Sequence, residues 1–123
     1  MTATAIPLPR QRPLNQAQER TEFLIETLGS GARLAALIGV NRSQPTKWRR
    51  GIEVPGPEAG RMLIDLDHIV ARACMVWPGE LVTTWLSSPN AFLDGATPVT
   101  VLREQGSRAV IDALDAEQAG SYA

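Results

Sequence analysis

Apolar side chains in this chain return every three or four residues, and no run alternates apolar and polar positions long enough for a sheet, so the pattern predicts an all-α protein. Residues 1–14, with Pro7, Pro9 and Pro13 and few apolar side chains, read as an extended, disordered arm. From Asn15, a residue suited to capping, a helix carries Phe23, Leu24 and Leu28 on one face and stops at Gly29. Ser30 opens a second, short helix with Leu34, Leu37 and Ile38 at helical spacing, which Gly39 ends. A third helix takes its cap near Asn41 or Ser43, runs through Trp48 and closes at about Arg50.

Between Gly51 and Gly60 the chain holds Gly51, Pro55, Gly56, Pro57 and Gly60, the composition of a linker, and the pattern divides there into a first region, 15–54, and a second, 61–123. Met62, Leu63, Leu66, Ile69, Val70 and Ala73 then make one side of a long amphipathic helix that reaches Trp77 and is interrupted by Pro78. A shorter helix from Pro78 to Leu86 carries Leu81, Val82, Trp85 and Leu86, with the proline tolerated in its first turn. Pro89, Asn90, Gly95 and Pro98 mark a turn-rich connection. Two last helices follow, Pro98 to about Gln105 and Ser107 to Leu114.

Composition narrows what such a bundle does. At 123 residues the chain is one compact domain or two very small ones, and 44% hydrophobic with 20% charged residues is ordinary globular usage. The net charge of −1 conceals an asymmetry: residues 1–60 carry eight basic and five acidic side chains, residues 61–123 four basic and eight acidic. A nucleic-acid surface therefore belongs in the first half. One cysteine, Cys74, and one histidine, His68, leave little from which to build a metal site or a nucleophile–base pair, so no metal, no cofactor and no catalysis are expected. The longest apolar run, Ala35 to Val40, is far short of the ~20 residues that span a bilayer, and no apolar stretch near the first residues fits a signal peptide. No membrane association and a reducing cytoplasm are the expectation.

The segment from Gly31 to Arg50 fits a helix-turn-helix. Ala35 is the small residue that lets two helices approach, Gly39 makes the turn four residues later, and Leu34, Ile38, Val40 and Trp48 bury the inner faces. After the turn come Arg42, Ser43, Gln44, Thr46, Lys47, Arg49 and Arg50: four cations with amide and hydroxyl groups and no acid, the groups that meet phosphates and base edges. The position six residues after the turn glycine ordinarily holds a buried β-branched side chain and here is Pro45. A helix beginning there is about two turns long.

Taken together, the two regions resemble the Xre/MbcA/ParS antitoxins of RES–Xre toxin–antitoxin pairs, from about Ala17 onward. The first carries Ser43-Gln44-Pro45 before Lys47-Trp48-Arg49-Arg50-Gly51; the second carries Trp85-Leu86, Pro89-Asn90, Leu93, Gly95 and Pro98, then Leu102, Gly106, Val110 and Leu114. The resemblance implies an Xre-like helix-turn-helix bundle followed by a small helical toxin-binding domain. It implies a cytoplasmic protein, a homodimer within a hetero-oligomeric complex, that inhibits a cognate RES-domain toxin which degrades NAD⁺ and represses its own operator DNA. In that reading Trp85, Asn90, Leu93 and Leu102 contact the toxin. The tail from Asp115 to Ala123, with Gly120 as a flexible hinge, offers Asp115, Glu117, Tyr122 and the carboxylate of Ala123 to the toxin's NAD⁺ pocket.

Two other readings fit the same residues. One is a helix-turn-helix transcriptional regulator with no toxin partner. The other is a pure inhibitor whose helix-turn-helix, shortened at Pro45, no longer reads DNA.

Overall fold

A computed structural model describes residues 12–121, and among them every regular element is helical. The order is α1 (Arg12–Leu28), α2 (Gly31–Ile38), α3 (Gln44–Arg49), α4 (Pro57–Ala73), α5 (Gly79–Leu86), a 3₁₀ turn (Ala91–Leu93), α6 (Pro98–Gln105) and α7 (Arg108–Ser121). The all-α expectation holds. The arm, however, is shorter than expected, because α1 begins at Arg12 and encloses Asn15. Pro13 lies in its first turn, where a missing N–H has no helical partner to lose. The remainder of the arm, residues 1–11, lies outside the described residues.

The helix-turn-helix forms as its sequence dictates. Ser30 Oγ accepts from the Arg33 backbone N–H at 3.1 Å and caps α2. Gly39 ends that helix in the left-handed region, φ 89°, with its N–H donating to the Ala35 carbonyl at 2.8 Å. Pro45 is buried, so it fills the slot of the usual β-branched residue, and its place in the first turn of α3 leaves no orphaned donor. Ser43 stands at the cap position of α3 without a side-chain bond to the helix, and Asn41 Oδ1 accepts from both its backbone N–H and its hydroxyl.

The linker does not divide the molecule. One hydrophobic core takes Leu24 and Leu28 from α1, Leu34 and Ile38 from α2, Trp48 from α3, Leu66 and Ile69 from α4, Leu86 from α5, Leu102 from α6 and Leu114 from α7. At the crossing of α1 and α5, a Cβ on Gly79 would stand 2.6 Å from the Thr27 carbonyl oxygen, so only glycine permits that approach. Polar ties run the same way. The Arg103 guanidinium donates to the Leu37 carbonyl at 2.7 Å, Arg61 donates to the carbonyls of Leu102 and Arg103, and Gln118 donates to that of Ala73 at 3.2 Å. The separation into 15–54 and 61–123 is therefore a division of sequence pattern, since the apolar faces of α1, α2 and α4 bury one another.

A fragment beginning at Arg61 leaves Leu66, Ile69 and Leu86 without their α1 and α2 partners. It is expected to lack a cooperative thermal transition by circular dichroism, in contrast to the whole chain, because a 63-residue remnant with about a third of the core missing has too little apolar burial. A sharp unfolding transition in the fragment would refute the shared core.

Candidate functional site

Two surfaces gather the residues singled out above. The first is an open groove of about 510 Å³ between the end of α5, the loop and 3₁₀ turn that follow, and the outer side of α7. Its form depends on Asn90, which is buried and whose hydrogen bonds stay within the turn. Asn90 Oδ1 accepts from the Phe92 N–H at 2.9 Å, its N–H donates to the Ala96 carbonyl, and its own carbonyl accepts from Leu93 and Gly95. Asp94 (φ 58°) and Gly95 (φ 88°) then turn back through left-handed conformations. The product is a tight bracket that holds Phe92 at the surface, 59% exposed.

Trp85 lies along the same groove, half-buried, its ring centroid 6.0 Å from that of Trp77 at a tilted angle and its Nε1 buried with no acceptor. Across from it, α7 presents Ala113, Ala116, Glu117 and Gly120. Two apolar rings therefore face a helix of mostly small residues, a concave and largely non-ionic surface suited to an apolar protrusion.

Several expected contacts are relocated. Leu102 is fully buried in the core and cannot touch a partner, because its position on α6 faces inward against α4. Leu93 is half-buried and packs against that core. Asp115 is not on a free tail: α7 continues to Ser121, and Asp115 pairs with Arg72 at 2.9–3.1 Å. Gly120 is likewise helical rather than a hinge, since Val110, Leu114 and Gln118 bind α7 to the body of the bundle. Glu117 lines the groove. Tyr122 and Ala123 lie outside the described residues. Phe92 was missed, although a large aromatic between Asn90 and Gly95 has few local apolar neighbours to hide it.

The second surface is α3 with its approaches. Arg42, Ser43, Arg49 and Arg50 are exposed, while Gln44, Thr46 and Lys47 are half-buried. Trp48 is inward at 2% exposure, which points the polar side of a six-residue helix outward. Two acids from outside the segment stand beside these cations: Glu22 of α1 is 3.7 Å from Arg49, and Glu53, just past the helix, is 3.8 Å from Lys47. Glu26, one turn from Glu22, has its carboxyl raised above the usual range by a hydrogen bond with Glu22 and by that neighbour's charge, partly offset by Arg49. Among the described residues, Arg42 and Arg50 are thus the cations of this surface with no carboxylate in reach.

Comparison with known proteins bears on the segment that holds the first surface. Residues 72–120 match the family described as the antitoxin Xre/MbcA/ParS C-terminal toxin-binding domain, a span that contains α5, the bracket, α6 and nearly all of α7. Over these residues the chain is similar to that domain, in keeping with the resemblance carried by Trp85-Leu86, Pro89-Asn90 and Gly95. The relatives include the mycobacterial cidal antitoxin MbcA of Mycobacterium tuberculosis and of Mycobacterium bovis, each 24% identical over 99 residues, covering 80% of this chain and 88% of the relative. The fold is shared with a chain of the crystal structure of the M. tuberculosis MbcT-MbcA toxin-antitoxin complex, with a TM-score of 0.70 at 23% identity over 84% of this chain and 94% of that one.

Burial separates the roles of two neighbouring residues. Leu102→Ala is expected to lower unfolding free energy by about 2–5 kcal/mol in chemical denaturation, whereas Phe92→Ala should leave it within about 0.5 kcal/mol. Equal losses in the two variants would contradict the placement of Phe92 at the surface.

Proposed function

We propose that this chain is an antitoxin that inhibits a cognate RES-domain toxin that degrades NAD⁺, seating the toxin on the groove beside Phe92 and Trp85 and covering its active site with the residues at the end of α7. Operator DNA and a second copy of the chain are the other partners of this reading. The observation that carries it is the exposed Phe92, held by a bracket whose polar groups bond to one another, inside the segment that matches a toxin-binding domain.

Rigid mounting favours inhibition of this kind. Because α7 is bound to the core along its length, a segment extending from Ser121 starts from a fixed direction, and less conformational freedom is lost when it enters a pocket. Glu117 lines the groove on that side of the helix. Asp115 supports the helix through Arg72 instead.

Two variants distinguish assembly from inhibition. Phe92→Ala is expected to weaken the complex by about 2 kcal/mol, roughly thirtyfold in dissociation constant by calorimetry, as for a central aromatic anchor. Deleting Gly120 to Ala123 should leave the complex assembled but restore NAD⁺ consumption by the toxin. Full inhibition by the shortened chain would remove the C-terminal residues from the reading, and unchanged affinity in Phe92→Ala would remove the groove.

The DNA side rests on Arg42 and Arg50, because Lys47 and Arg49 already have acidic neighbours. Replacing both with Ala should lower the slope of log affinity against log salt by about two units on upstream DNA, the effect of two lost phosphate contacts. An unchanged slope would exclude this surface from DNA binding.

A further inference from the structure

Arg103 of α6 reaches across to the helix-turn-helix. Its Nη2 donates at 2.7 Å to the carbonyl of Leu37, 66 residues away along the chain and in the last turn of α2. Gly39 and Val40 both donate to the Ala35 carbonyl, at 2.8 and 3.0 Å, and the Leu37 carbonyl takes the guanidinium as its donor. The same group lies along the turn itself, since a Cβ at Gly39 would meet Arg103 Nε at 3.6 Å and Cζ at 3.9 Å. Beside it, Ile38, Val40, Ala59 and Met62, with Glu58 and Arg103, line a cleft of about 350 Å³. On this side the turn thus has open space in place of packed side chains, and Arg103 is what braces it.

The brace is itself held. The carbonyls of Leu102 and Arg103 accept from Arg61 at 3.3 and 3.0 Å, and Arg61 is paired with Asp65 at 2.8 Å and with Glu58 at 3.4 Å. The end of α6 is therefore fixed from α4, and Leu102 beneath it is fully buried. What lies beyond the turn has less to hold it. The helix α3 has six residues and no side-chain cap bond, and only its far half is anchored by the buried Trp48. Arg42 stands between Gly39 and that helix, exposed, whereas Arg50 follows it at the Trp48 end. The direction of the turn consequently decides where Arg42 points and has little hold on Arg50.

We infer that Arg103 is a positioning residue for DNA binding: it fixes the turn between α2 and α3 and so places Arg42 against a phosphate, without touching DNA itself. This role rests on the DNA reading above and deepens it, because Arg103 belongs to the segment that matches a toxin-binding domain and yet sets the surface offered to nucleic acid. Its side chain is exposed, and α6 remains docked through Val99 and Leu102, so the guanidinium can be removed while the core stays intact.

The experiment is a double-mutant cycle on the full chain, read as affinity for an upstream DNA duplex by fluorescence anisotropy, with circular dichroism to check folding. Arg103→Ala should weaken binding about tenfold, as expected when a charge-assisted hydrogen bond that holds the site is lost. In an Arg42→Ala background no contact is left to misplace, and the same change should cost less than about twofold; in an Arg50→Ala background it should again cost about tenfold. Arg103→Met, which keeps the aliphatic stem, carries the same cycle if the alanine variant unfolds. Wild-type affinity in a folded Arg103 variant overturns the positioning role and leaves the DNA reading standing. An equal loss in all three backgrounds overturns it too, since Arg103 would then be a phosphate contact of its own. A wild type with no affinity for the DNA removes the DNA reading, and the role of Arg103 with it.

Discussion

Helix ends in this protein terminate on one another. Arg33 of α2 donates to the Leu28 carbonyl at the end of α1, Arg103 of α6 to Leu37 near the end of α2, Arg61 of α4 to the last carbonyls of α6, and Gln118 of α7 to Ala73, the last residue of α4. The last carbonyls of a helix have no partner within it, and a cation there also answers the negative end of the helix dipole. Because each donor belongs to a different helix from the carbonyl it meets, satisfying these groups fixes the helices relative to one another. Beneath the ties lies a single core, with Leu24, Leu66, Leu86 and Leu114 from four helices fully buried in one cluster.

That construction bears on the groove. The bracket around Asn90 is small and held by its own hydrogen bonds, but its direction is decided by α5, which crosses α1 at Gly79 without room for a Cβ. The opposite wall, α7, is positioned by Gln118 and by the Arg72–Asp115 pair. The groove inside the segment that matches a toxin-binding domain is thus oriented by α1 on one side and by α4 on the other.

Pattern along the chain determined the helices, the Gly39 turn, the Ser30 cap and the inward face of nearly every element, because those follow from 3.6-residue periodicity and from local backbone chemistry. The resemblance to the Xre/MbcA/ParS antitoxins was also legible, since its residues, Trp85-Leu86 and Pro89 to Pro98, are close together in sequence. Tertiary structure alone decided the rest. Glu22 is remote from Arg49 along the chain, so the partial neutralisation of α3 appears only when α1 packs beside it. Leu102 and Phe92 are both apolar residues of the same short region, and only the packing of α6 and the Asn90 bracket buries one and exposes the other. The small, polar residues after Leu114 have the composition of a frayed end, yet they stay helical because Gln118 finds the Ala73 carbonyl, a partner 45 residues away that no local pattern could reveal.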